Sequence, residues 1–141
     1  MAIASRIAVW TAALAMAACE TGSPSAAAAG QRPLTGSWGG AHVSLVLRPD
    51  GGALEYDCAS GSIDEPLRTD AGGRFTARGT HVPGQGGPER EGEVPPRLPA
   101  LYSGAVSGAK MRLLVRIPST GAEIGPLELR RDAEPILLRC L

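Results

Sequence analysis

The chain predicts an all-β domain, a small eight-stranded antiparallel up-and-down barrel, with a β-sandwich as the alternative. Three observations predict it. Apolar and polar residues alternate from Trp38 onward in short runs, the period of a half-buried strand. Between the runs stand glycine-rich turns such as Pro49-Asp50-Gly51-Gly52 and Asp70-Ala71-Gly72-Gly73. No stretch beyond residue 34 carries the 3.6-residue apolar spacing of an amphipathic helix.

Taken in order, Leu34-Thr35-Gly36-Ser37-Trp38 opens the first strand. Val43, Leu45 and Leu47 continue it on one face, with His42, Ser44 and Arg48 opposite. Leu54, Tyr56 and Cys58 form one face of the second strand, with Glu55 and Asp57 opposite. Residues 63–67 make a weaker third strand, and Pro66, which has no N–H for a ladder, suits an edge or a bulge. Residues 74–80 turn Phe75 and Ala77 inward. Residues 101–107 and 111–117 form a hairpin about Ser107-Gly108-Ala109-Lys110, and Met111, Leu113, Val115 and Ile117 alternate with Arg112, Leu114 and Arg116. Residues 123–130 follow Ser119-Thr120-Gly121, and residues 136–141 bring the count to eight. Eight strands in sequential hairpins close on themselves and leave no free edge. Strands this short predict an interior filled by side chains, with little room for a ligand.

One connection breaks the pattern. Residues 81–98 (HVPGQGGPEREGEVPPRL) are long, irregular and rich in Pro and Gly. Long loops in compact domains carry function or are solvated insertions. As a partner-binding loop this segment offers His81, Glu89, Arg90, Glu91 and Glu93.

The N-terminus has a different composition. Residues 7–18 carry no charge and follow Arg6, which reads as a signal peptide too short to cross a bilayer as a helix. It closes on Leu14-Ala15-Met16-Ala17-Ala18-Cys19. That run resembles the lipobox of bacterial lipoproteins, with Met16 where an aliphatic residue is usual. The resemblance implies that residues 1–18 are removed and that Cys19 takes a lipid, which would hold the protein on the outer membrane or cell surface. Ordinary secretion, with cleavage near Ala27-Ala28-Ala29, is the alternative. Residues 19–33 then read as the lipidated cysteine and a flexible tether, and residues 34–141 as the barrel domain. With Cys19 set aside, Cys58 and Cys140 remain in an exported domain, where an oxidising compartment lets them pair; two buried thiols are the alternative. A link between positions so far apart is natural if the last strand returns beside the first ones.

Gly36-Ser37-Trp38 is similar to the start of the lipocalin and avidin families, in which the tryptophan plugs one end of an eight-stranded barrel. The avidin likeness extends over Leu34-Thr35-Gly36-Ser37-Trp38 and ends there, because no later tryptophan exists to build a biotin site. Small bacterial inhibitors of metalloproteases and of lysozyme resemble the chain in architecture, without a residue-by-residue match.

Chemistry is sparsely represented. His42 and His81 are isolated, without metal-ligand spacing, so no metal site and no cofactor are expected. Ser107 sits one place late for a Gly-x-Ser-x-Gly elbow. Asp64 and Glu65 are adjacent, and on a strand they would face opposite ways. Fourteen basic and fourteen acidic residues balance, which argues against a nucleic-acid partner. The expected class is a non-enzymatic, membrane-tethered binding or accessory module of the envelope. The alternatives are a periplasmic lysozyme or protease inhibitor and a small-ligand carrier.

Overall fold

The computed structural model describes residues 32–85, 87 and 91–140. Eight antiparallel strands, β1 (Gly36–Gly40), β2 (Val43–Arg48), β3 (Gly51–Tyr56), β4 (Ala59–Ile63), β5 (Arg74–Pro83), β6 (Leu98–Ser107), β7 (Lys110–Ile117) and β8 (Ala122–Arg131), follow one another in sequence order around a closed barrel. The predicted barrel is therefore the observed fold, and the sandwich alternative is set aside.

Alternation dictates the core. Val43, Leu45 and Leu47 are buried, as are Phe75 and Ala77 on β5 and Met111, Leu113, Val115 and Ile117 on β7. Trp38, Tyr102, Leu54 and Leu129 complete a filled interior. The outward positions of β5 and β7 hold Arg74, Arg78, Arg112 and Arg116. This apolar-in, charged-out arrangement is the reverse of a barrel whose outer face meets lipid.

The count of eight is right, but three members differ from expectation. The first predicted strand is two, β1 and β2, folded by a two-residue turn at Ala41-His42. That turn lacks Gly, Asn or Asp, and His42 itself takes the left-handed conformation, with φ 69°. Residues 136–141 are not the eighth strand. Asp132 (φ 55°) ends β8, Pro135 cannot donate to a ladder, and Ile136 makes only an isolated parallel bridge to Ala41. The third predicted strand, residues 63–67, shares only Ile63 with β4 (Ala59–Ile63), because Ser60-Gly61-Ser62 has no apolar alternation to reveal it and residues 64–67 lie beyond the ladder. Leu67 lies beyond that strand yet is fully buried, closing one end of the barrel, with its carbonyl accepting from Leu34 N–H at 2.7 Å.

β1 and β8 close the barrel through two register pairs, Trp38 with Arg131 and Gly39 with Arg130. The Arg131 guanidinium lies over the Trp38 ring at 4.5 Å and donates to the Thr35 carbonyl at 3.1 Å. The chain after β8 then turns back along the outside of β1. Asp132 N–H donates to Ser37 O (2.8 Å), Ile136 N–H to Gly40 O (3.0 Å) and His42 N–H to Ile136 O (2.7 Å). A Cβ at Gly39 would collide with the Ala133 carbonyl, so only glycine lets this strap lie so close.

The strap ends in a disulfide between Cys58 and Cys140, whose Cα atoms are 5.2 Å apart. It is not the strand-to-strand link expected from sequence. Cys58 occupies the β3–β4 turn in a left-handed conformation (φ 61°), and Cys140 lies in the irregular tail.

Candidate functional site

The barrel has two unlike poles. Leu34 enters at the pole that holds Leu67 and the β2–β3 turn. The opposite pole carries the Ala41-His42 turn, the Asp57-Cys58 turn and residues 84–97, which join β5 and β6. β5 ends at Pro83, level with Ala59 at the start of β4, and β6 begins at Leu98 opposite His81, so this connection leaves the barrel at the rim, while the extra length of β5 and β6 lies toward the other pole.

A cleft of about 670 Å³ lies between that rim and the returning loop. Cys58, Ser60 and Val82 form its wall, while Gln85, Glu91 and Glu93 come from the loop. The C-terminal tail is fastened beside it. Asp57 Oδ1 accepts Leu138 N–H at 2.6 Å, and Oδ2 pairs with His42 Nδ1. The Leu138 N–H and then the His42 partnership hold the Asp57 carboxyl below the usual carboxylate range.

Three aliphatic side chains stand out from this pole. Val94 in the loop is 82 % exposed, and Ile136 and Leu138 on the tail are 67 % and 59 % exposed. Val46 and Leu101 on the barrel wall are much less so. Ile136 and Leu138 stand on backbone pinned by the disulfide and by hydrogen bonds, so little ordering of the tail is needed on contact.

Beneath the pole the interior turns polar. His81 is buried, at 5 % exposure, and its Nδ1 has no hydrogen-bond partner among the described residues. Its ring lies 5.9 Å from that of Tyr56. Burial lowers the His81 pKa, so the neutral imidazole is favoured. The Tyr102 hydroxyl donates to Thr80 O at 2.7 Å, and burial pushes its pKa up to about 12. Tyr56 is raised further, by burial first and by the neighbouring Tyr102 second. Burial thus favours the neutral form of all three side chains.

His81 was expected in the loop. It belongs to β5, pairs with Leu98 across β6 and faces inward, which removes it from the partner-binding set. The loop proper therefore spans residues 84–97. Glu91 and Glu93 line the cleft, whereas Glu89, Arg90 and the candidate lipidation residue Cys19 lie outside the described residues. Ile136 and Leu138 were missed, since they read as strand residues; Pro135 just before them was the signal against that reading.

The remaining candidates have structural roles. Asp64 accepts from Ser62 (2.7 Å) and Thr80 (3.0 Å) hydroxyls, and Glu65 Oε1 accepts Arg78 N–H at 2.6 Å. Ser107 pairs with Lys110 at a hairpin. The described residues contain no group of three or more His, Cys, Asp or Glu placed to hold a metal ion. Searches against protein-family models, curated proteins and solved structures each returned no match.

Proposed function

We propose that this protein is a non-catalytic, lipid-tethered module of the cell envelope that binds a protein or envelope partner with its loop pole. One observation carries the reading: the exposed aliphatics Val94, Ile136 and Leu138 gather at the pole opposite the one where the chain enters. A domain anchored through Cys19 would hold that pole away from its membrane. The Cys58–Cys140 link beside the cleft is consistent with an oxidising compartment.

Two experiments test it. Cys19→Ala is expected to move the protein from the membrane to the soluble fraction with its fold unchanged; retention on the membrane refutes the lipid anchor. Affinity capture from envelope extracts compares the intact chain with a variant carrying Val94→Asp, Ile136→Asp and Leu138→Asp. Identical partner sets refute the loop pole as the binding surface.

A second reading, inhibition of a lysozyme or protease, is favoured by the disulfide that stiffens the turn beside the cleft. Absence of inhibition at micromolar protein rejects it. The carrier reading fares worse, because Trp38, Tyr102, Leu45, Leu54 and Leu113 occupy the interior where a cargo would sit.

A further inference from the structure

The balanced net charge conceals a segregated one. Strands β5 to β8 carry seven basic side chains and two acidic ones, whereas residues 41–73 carry two basic and six acidic. The basic side has an ordered layout. Cross-strand register places Arg78, Leu101 and Arg116 in one row and Arg74, Ala105 and Arg112 in another. Between them, Thr76, Ser103 and Leu114 form a third row. Arginines thus face one another across β6 in two matched pairs, above an uncharged floor of Leu101, Ser103 and Ala105.

Strand geometry sets the dimensions. The two pairs are about 13 Å apart along the strands, and the banks are about 10 Å apart across two strand spacings. Arg116 and Arg112 pair with Glu123 (2.8 Å) and Glu128 (3.6 Å) on β8, so the β7 bank is partly neutralised on its outer side. Asp64 and Glu65 border Arg78 through the β4–β5 edge. Arg74 and Arg78 enter no ion pair among the described residues. A recess of about 470 Å³ lined by Ser103, Ala105, Arg112, Leu114, Glu123 and Pro126 deepens the trough on the β7 side, with Glu123 at its outer edge engaged by Arg116.

We infer that this trough is a docking surface for an acidic polysaccharide lying along β6, its sulfate, phosphate or carboxylate groups held between the facing arginines. Guanidinium forks match oxyanions in bidentate geometry. Thr76 and Ser103 offer hydroxyls to the sugar between successive anions. An extended chain fits better than a compact anion, because the two cation pairs are too far apart to share one. Nucleic acid fits less well. The described aromatic residues, Trp38, Tyr56, Phe75 and Tyr102, are all buried, which leaves no platform for stacked bases. This surface is separate from the loop pole and does not rest on the reading given for it.

The test uses the full chain and fluorescein-labelled dextran sulfate, read by anisotropy over a salt series, with uncharged dextran as the matched control. Binding that weakens with salt and is absent for uncharged dextran is expected. Arg74→Gln with Arg112→Gln is expected to weaken it about tenfold, as loss of two exposed charge contacts implies. Ala105→Glu, which sets a carboxylate on the floor, is expected to weaken it at least as much, and Arg48→Gln with Arg139→Gln to leave it unchanged. All these positions are exposed, so thermal unfolding reports whether the fold is intact. The inference is overturned if the trough variants bind as the parent does, or if Arg48→Gln with Arg139→Gln weakens binding equally. Tighter binding of single-stranded DNA or poly-glutamate than of dextran sulfate would also overturn it.

Discussion

Replacing Cys58 and Cys140 by serine removes the covalent end of the strap while leaving every strand intact. The linked positions are separated by 82 residues. On the chain-entropy account, closing a loop of that length contributes about 4.5 kcal/mol by restricting the unfolded chain. For a barrel of roughly a hundred residues the unfolding entropy is near 0.2 kcal/mol/K, so Tm should fall by roughly 20 °C. The strap's three backbone hydrogen bonds and the β1–β8 pairs survive the substitution, so the double variant should still fold as a barrel. Circular dichroism melts of oxidised parent, reduced parent and double variant measure this directly. The reduced parent and the variant should agree with each other and lie well below the oxidised parent. A loss below about 1 kcal/mol would refute the reasoning, since it would mean that the unfolded chain gains little freedom when the link is cut.

Other outcomes follow from single groups. Asp57 titrates lower when folded than when unfolded, so its contribution is present above the ordinary carboxylate pKa and is lost as pH falls through the folded value; acid-unfolding curves of Asp57→Asn should lack that dependence. His81 has a lowered folded pKa, so it favours the native state above about pH 6.5 and that advantage declines as pH falls below it. His81→Leu should flatten the stability profile between pH 5 and 7, by urea titration at each pH. Gly61→Ala sets a Cβ against the Tyr102 hydroxyl and should cost about 1–3 kcal/mol in the same titration, as overpacking does.

The barrel was legible wherever burial and alternation coincide. β2, β5 and β7 announced their inner faces because each carries a run of inward apolar residues. β1 and β4 did not, since Gly39, Gly40 and Gly61 supply no hydrophobic signal; a Cβ there would meet the strap at Gly39, the Glu128 carbonyl of β8 at Gly40 and the Tyr102 hydroxyl at Gly61. Ile136, Leu137 and Leu138 misled for the opposite reason. They look like a buried strand, yet two of the three are exposed, because a tail that pairs with no ladder is not obliged to bury alternate residues. The pairing of Cys58 with Cys140 could be counted from the sequence, but its use as a tail fastener depends on where β8 stops. His81 shows the limit of reading loops by composition: Val82, Pro83 and Gly84 suggested irregular chain, whereas the β5–β6 ladder extends through it to Leu98.

The narrow seam between β1 and β8 has a mechanical consequence. Any pull applied through the residues before Leu34 loads the Pro33–Arg68 bridge and the Leu34–Leu67 hydrogen bond and then β1, which holds β8 by two pairs and β2 by five. Peeling would begin at that seam, with Trp38 and Arg131 as its first rivet. The strap lies over the same strand and is welded at the far pole, so the load is shared with the Asp57-Cys58 turn. Reduction of one bond would therefore turn a barrel that resists traction into one that opens from its N-terminal strand.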